Sequence, residues 1–456
     1  MVQKNFVIIF FVLLYTILGW IYICDSSRDI VFMDCWHYIN ILIPPIKDEC
    51  FNYILLFTPN IGHSNFLLML LLAFNIKYTN LNCLWEEYAG IVVISITVVT
   101  LYWYLKKIIV QDRGGYALQI MFVPIIGILF SLVQWEILSL EFSFAFMIRI
   151  FSYYLAFILF DYSLKRNEYK LFFLVGTYIG FLIIFLSQLY WIALVVSILF
   201  VYVYHNYQMK IIDMKQALLL WCPIIIAMYV YFYIIKVVFA YNNSGLPENV
   251  FSLLSSIPAG ILYMLDGSII HQSILENFSS MVLIGVGVFL FVLCIFPVHM
   301  YIKNKIYMHT YLPLLIWLYG IWSILVIISG RANMFGLFYL TSSRYSCDTA
   351  FIWVGVIMML ICMMQINKSL FNLRSISIFW MIAICIFAIT ICSDIVEMKI
   401  APYRGAYKDE CLNMILTYDQ VDYSDDDFGK LQGSAYDVKK GIGYLKKYSL
   451  NVFKYH

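Results

Sequence analysis

Apolar runs of about 17 to 24 residues recur along most of the chain, each long enough to carry a helix across a hydrocarbon core of about 30 Å. The pattern predicts about eleven spans, at 6–24, 88–105, 117–133, 143–160, 171–187, 189–204, 217–235, 281–300, 311–329, 349–366 and 376–393. Basic residues punctuate every second connection. Lys106, Lys107 and Arg113, then Lys165, Arg166 and Lys170, Lys210 and Lys215, Lys303 and Lys305, and finally Lys368 and Arg374 mark one side as cytoplasmic. The N-terminus is then cytoplasmic. An odd number of spans carries the segment from 394 to 456 outside.

Phe66 to Phe74 breaks the pattern, being only about nine apolar residues, too short to cross, before Asn75, Lys77, Asn80 and Asn82. A crossing there would turn every later basic cluster outward, so a helix along the outer interface is expected. The other external segments are 25–87, 236–280 and 394–456, with turns at 134–142 and 330–348. The tail holds Asp425, Asp426 and Asp427 and ends in a stretch, Val438 to Phe453, suited to a short amphipathic helix. It is too small for a large independent domain and is expected to pack on the first loop.

Composition fixes the class. With 63% hydrophobic and 12% charged residues, the chain cannot close into one soluble globule with a normal polar surface. The expectation is an all-α polytopic membrane protein, with residues 1–393 as the transmembrane bundle and 394–456 as an external segment. The formal net charge of +2 carries no functional message, and nothing marks a nucleic-acid binder. Phe6 to Cys24 follows Lys4 like a signal peptide, but its length and lack of a small-residue cleavage site make it an uncleaved first span. The eleven cysteines are scattered, several inside apolar runs, where a thiol behaves as a small hydrophobe. No CxxC pair or Cys/His spacing suggests zinc, and a Cys35–Cys50 disulfide is expected only because both lie in one loop.

The candidate chemistry sits on the external side. The first loop opens with Asp25, Arg28 and Asp29 and places Asp34 beside Trp36 and His37. A carboxylate near the membrane surface, flanked by aromatics, can serve as general base on a sugar hydroxyl; a solvated acid beside an interfacial tryptophan gives the same local sequence. Asn60 and His63 fall in a polar turn that a helix cap at Ser64 or Asn65 partly explains. Arg331 and Arg344 stand where short loops normally exclude positive charge. An arginine fork binds phosphate through parallel hydrogen bonds, with hydroxyls of Ser342, Ser343 and Tyr345 at hand; snorkelling to lipid headgroups is the structural alternative. Arg149 lies about two turns inside the fourth span, where an arginine faces the bundle interior or a wet cavity. Glu136, in the Gln134-Trp135-Glu136 turn, is its nearest candidate partner, and such a pair would fix packing without touching substrate. Lys236, at the outer end of the seventh span, is a further charge against the trend.

These residues together resemble bacterial membrane glycosyltransferases of the GT-C architecture, in particular serotype-converting O-antigen glucosyltransferases. The resemblance rests on Asp34-x-Trp36 after the first span, Asn60/His63, Gln134-Trp135-Glu136, Gly330-Arg331 with Ser343-Arg344-Tyr345, and Leu445 to Phe453. It covers the chain from end to end through short motifs. It implies transfer of a sugar from a polyprenyl-phosphate donor to a hydroxyl of a lipid-linked or growing saccharide, on the outer face of the bacterial inner membrane. By carry-over, Asp34 is the catalytic base, with Asp25 and Asp29 as rivals. Arg331 and Arg344 hold the lipid phosphate, and Trp36, His37, His63, Glu136, Arg149 and Tyr345 line the substrate site. Relatives often carry adjacent acids where this chain has Asp34-Cys35, so either one carboxylate suffices or a divalent-metal-dependent variant is lost.

Three rivals remain at this point. An O-antigen-type polymerase also has external arginines, but its long loop usually lies in the middle or second half of the chain. A lipid-linked saccharide transporter or flippase predicts charged or broken helices near the midplane, for which Arg149 is the one clear candidate. A non-catalytic scaffold leaves the external arginines without a role.

Overall fold

The computed structural model describes residues 5–455 except 61–62, 110–114, 187–188, 211–212, 240–249 and 367–372; at a few others, His63 among them, only the backbone is described. The chain is an all-α polytopic membrane protein. Its main helices are α1 (Phe6–Ser26), α2 (Cys35–Lys47), α3 (Phe66–Tyr78), α4 (Cys83–Ile109), α5 (Gly115–Leu129), α6 (Ser143–Arg166), α7 (Tyr169–Phe185) and α8 (Trp191–Met209). The second half adds α9 (Met214–Tyr233), α10 (Val250–Gly267), α11 (Ser280–Lys303), α12 (Leu312–Phe335), α13 (Ser346–Ile366), α14 (Leu373–Leu416) and α15 (Ala435–Lys447). Among the described residues the extended pairing is a two-residue hairpin, Asn60 opposite His63.

Ten helices among the described residues are long and apolar enough to cross a membrane. The segment expected to span at 171–187 is α7, whose 17 residues reach about 25 Å at 1.5 Å per residue. The segment 66–74 is the 13-residue α3, about 20 Å long and short for a crossing. Two stretches differ from expectation. Residues 250–267, assigned to an external loop, form α10, which packs on α11 and α12. Residue 393, taken as the end of the last span, lies inside the 44-residue α14, which Pro402 does not interrupt. Hydropathy falls there because charged residues enter the helix, not because the helix stops.

The centre of the bundle is α13, in which every residue from Ser346 to Met364 is buried. A helix apolar all round has no solvent or lipid face to offer and is enclosed by neighbours. Close approach to α12 depends on two glycines: a Cβ on Gly355 would come within 2.8 Å of the Trp317 backbone nitrogen, and one on Gly320 within 2.8 Å of that of Ile352. Small residues at helix contacts supply dispersion contact where lipid removes the hydrophobic drive.

Polar ties collect at the two ends. At the end carrying the basic loops, buried Asp161 accepts hydrogen bonds from Tyr104 (2.7 Å), Thr310 (2.8 Å) and the Tyr311 amide (2.6 Å), and pairs with Lys165 (2.9 Å). At the opposite end the tail folds back on the first loop, as expected. Asn40 donates to the Asp437 carbonyl (2.8 Å), the Met33 amide donates to Leu431, and Lys454 pairs with Asp29 (2.7 Å). Trp36 is fully buried beneath α15, against Gly433 and Gly441.

Arg149 is also buried, but its partner is Asp348 at the start of α13, not Glu136. The guanidinium makes two parallel bonds of 2.9 and 2.8 Å, and Tyr319 donates to the same carboxylate. Sequence proximity favoured Glu136; the fold brings α6 against the first turn of α13 instead. Cys35 and Cys50 are both free, one buried and one exposed, so the expected disulfide is not formed. Removing one member of a buried pair strands the other charge. Asp348→Asn is therefore expected to cost about 3–5 kcal/mol, seen as a large drop in thermal stability and folded yield in detergent, whereas an unchanged melting temperature would make the pair dispensable.

Candidate functional site

A cleft of about 370 Å³ opens at the end opposite the basic loops. Three parts of the chain wall it: Phe32 and Met33 of the first loop, Trp135, Glu136, Ser139 and Leu140 of the 134–142 turn, and Ile400, Tyr403, Arg404, Tyr407 and Lys408 of α14, with Gln432 at the rim. Asp34 follows the wall residue Met33. It is exposed and stands at the start of α2 without a side-chain bond to a backbone amide there.

The α14 wall is built by helical spacing. Glu397, Ala401, Arg404 and Lys408 recur at intervals of four, three and four and so share one face. Buried Glu397 accepts from Arg404 Nε (2.6 Å) and Nη2 (2.9 Å), from the Tyr22 hydroxyl (2.7 Å) and from His271 Nε2 (2.7 Å). The Ser273 amide donates to His271 Nδ1, which assigns the ring proton to Nε2. Arg404 is thereby clamped, and its plane stacks on Trp135 at 3.2 Å from the ring centre. A guanidinium held in this way loses little freedom when Nη1 takes a ligand. Lys408 donates to the Ser139 carbonyl (2.6 Å) and the Ser27 hydroxyl (3.2 Å), tying α14 to the turn and to the end of α1.

The residues expected from sequence fall into separate groups. Glu136 lines the cleft and pairs with Arg344, while Ser343 (3.0 Å) and Ser342 (3.4 Å) donate to its second oxygen. Arg331, half-buried on α12, lies over Phe335 at 5.8 Å, and buried Tyr345 packs near Tyr339 at 6.1 Å. Trp36 is a core residue, not a sugar platform; His37 is half-buried with its ring 5.7 Å from that of Tyr38. Arg149, committed to Asp348, borders a separate gap between α3 and α6 too small for a sugar. The His63 side chain lies outside the described residues. Arg404, Lys408, Glu397 and His271 were missed. The period on 397, 401, 404 and 408 was readable, but it was taken for tail rather than helix.

Among the described residues, His, Cys, Asp and Glu side chains do not gather in threes as metal ligands, so these residues do not form a set for the divalent ion considered above. No family model, curated protein or solved structure matches the chain.

Glu141 joins two walls of the cleft by accepting from the Phe32 amide (2.9 Å). Burial pushes its carboxyl from 4.5 up to about 7, against the opposing pull of its backbone hydrogen bonds and Lys408. The folded protein therefore holds this proton more tightly than the unfolded chain, so the contribution to stability is full below about pH 4.5 and is lost as pH rises through about 7. Glu141→Gln, which imitates the protonated acid and still accepts from Phe32, is expected to flatten that loss. Thermal unfolding of both proteins at about pH 5 and pH 8 reads the difference; parallel pH profiles would count against it.

Proposed function

We propose that the chain is a polyprenyl-phosphate-sugar-dependent glycosyltransferase, a hexosyltransferase acting on the outer face of a bacterial inner membrane with an O-antigen-type saccharide as acceptor. One observation carries this reading: an open cleft, at the end away from the basic loops, holds a clamped arginine, a lysine and aromatic side chains, and the exposed Asp34 follows its wall residue Met33 in the chain. Sugars present apolar faces to rings and hydroxyls to charged groups, and Trp135, Tyr403 and Tyr407 supply the rings.

In the proposed step the acceptor hydroxyl attacks the anomeric carbon of the donor sugar. Its proton passes to Asp34, the new carbon–oxygen bond forms, and the bond from that carbon to the phosphate oxygen breaks. The electron pair leaves on the phosphate. Arg344 and Arg331 meet the charge on the polyprenyl phosphate, with Arg404 providing a fixed positive group within the cleft. The flippase alternative drew on Arg149 as its one clear intramembrane charge, and the Arg149 fork is engaged by Asp348.

Asp34→Asn removes the base and keeps the shape. Sugar transfer is expected to fall by about 10²-fold or more, read as loss of the added hexose in the mass of surface polysaccharide at normal protein level. Full modification by the variant would remove Asp34 from the mechanism.

A further inference from the structure

Three of the donors expected to bind phosphate, Arg344, Ser342 and Ser343, converge, and a carboxylate of the protein itself fills them. Arg344 Nη2 meets one oxygen of Glu136, while the Ser342 and Ser343 hydroxyls point at the other. This is an anion receptor of one guanidinium and two hydroxyls, supplied by three consecutive residues. Glu136 reaches it from a different turn and also borders the cleft.

The receptor is accessible. The Arg344 side chain is 35% exposed, whereas Glu136 and Ser343 are buried, so a ligand reaches the receptor from the Arg344 side. The approach is apolar. Arg344 lies over Tyr339, Tyr339 stacks on Phe335 at 4.5 Å, and Arg331 lies over Phe335. Phe335 and Phe338 are exposed on α12 and the turn that follows it. Two arginines thus flank an aromatic strip, which suits a ligand with an anionic head and a hydrocarbon chain.

From this we infer that Glu136 is a built-in stand-in for substrate: a lipid-linked phosphate displaces its carboxylate from Arg344, Ser342 and Ser343, and the freed carboxylate turns into the cleft. The inference rests on the donor reading above and adds an exchange to it. One anion replaces another on the same donors, so the receptor is neither left empty nor overfilled. Arg344 stays paired until the donor arrives.

The test is binding of farnesyl phosphate to the purified full-length protein in detergent, by calorimetry. Glu136→Gln keeps the hydroxyl acceptor and removes the competing charge, so affinity is expected to rise about tenfold; adding Arg344→Gln cancels the gain. Should the amide variant not fold, Glu136→Ala, which removes the carboxylate altogether, carries the same expectation. Unchanged or weaker binding by a variant of normal thermal stability overturns the inference, since a purely structural ion pair gives that result. Farnesol, which lacks the phosphate, gains nothing. A gain for inorganic phosphate with none for farnesyl phosphate overturns the assignment to a lipid. Tighter farnesyl phosphate binding by the variant, in a protein that transfers no sugar even as wild type, would uphold the exchange and sink the transferase reading alone.

Discussion

A charge inside a helical bundle stays ionised only where an opposite charge or several donors meet it, and the architecture of this protein follows that constraint. Asp161 gathers four donors from three elements at one end; Asp348 holds Arg149 and Tyr319 at the other. Between these levels α13 is enclosed on every face. The polar ties therefore decide which helices meet, and the close α12–α13 contact at Gly320 and Gly355 decides how tightly.

The same constraint shapes the cleft. Glu397 is buried and is met by arginine, tyrosine and histidine from three different elements. What reaches the cleft from this network is the free edge of one guanidinium, oriented before any ligand arrives. On the opposite wall Glu136 and Arg344 are likewise spoken for. The site is a set of charged groups already engaged with one another and bordering an open space, with the exposed Asp34 next in the chain to its wall residue Met33.

Much of the fold was legible because hydropathy and helix length are coupled by the thickness of a membrane. Each of the eleven expected spans coincides for most of its length with a helix. The fold-back of the tail on the first loop was also readable, although Trp36 proved to be the residue buried in that contact. Pairing across the bundle was not legible, since nothing in the local sequence joins Arg149 to Asp348 rather than to Glu136. The Arg404 wall escaped for a different reason. Once charges enter a helix it no longer reads as a span, and α14 continues for about six turns beyond that point. Arg344 with Ser342 and Ser343 was found as a unit, but the carboxylate that completes it comes from a distant turn.

The length of α14 gives the membrane a mechanical hold on the cleft. From the middle of its apolar part near Cys385 to Arg404 the helix runs roughly 28 Å at 1.5 Å per residue. It acts as a lever arm. A change in span tilt of about 5°, of the kind that hydrophobic mismatch produces, would sweep Arg404 through about 2.5 Å. The turn that carries Trp135 and Ser139 is tied to the same helix by Arg404 and Lys408 and would be drawn with it. Bilayer thickness would then act on both walls of the cleft together, making the lipid environment a determinant of the cleft's shape.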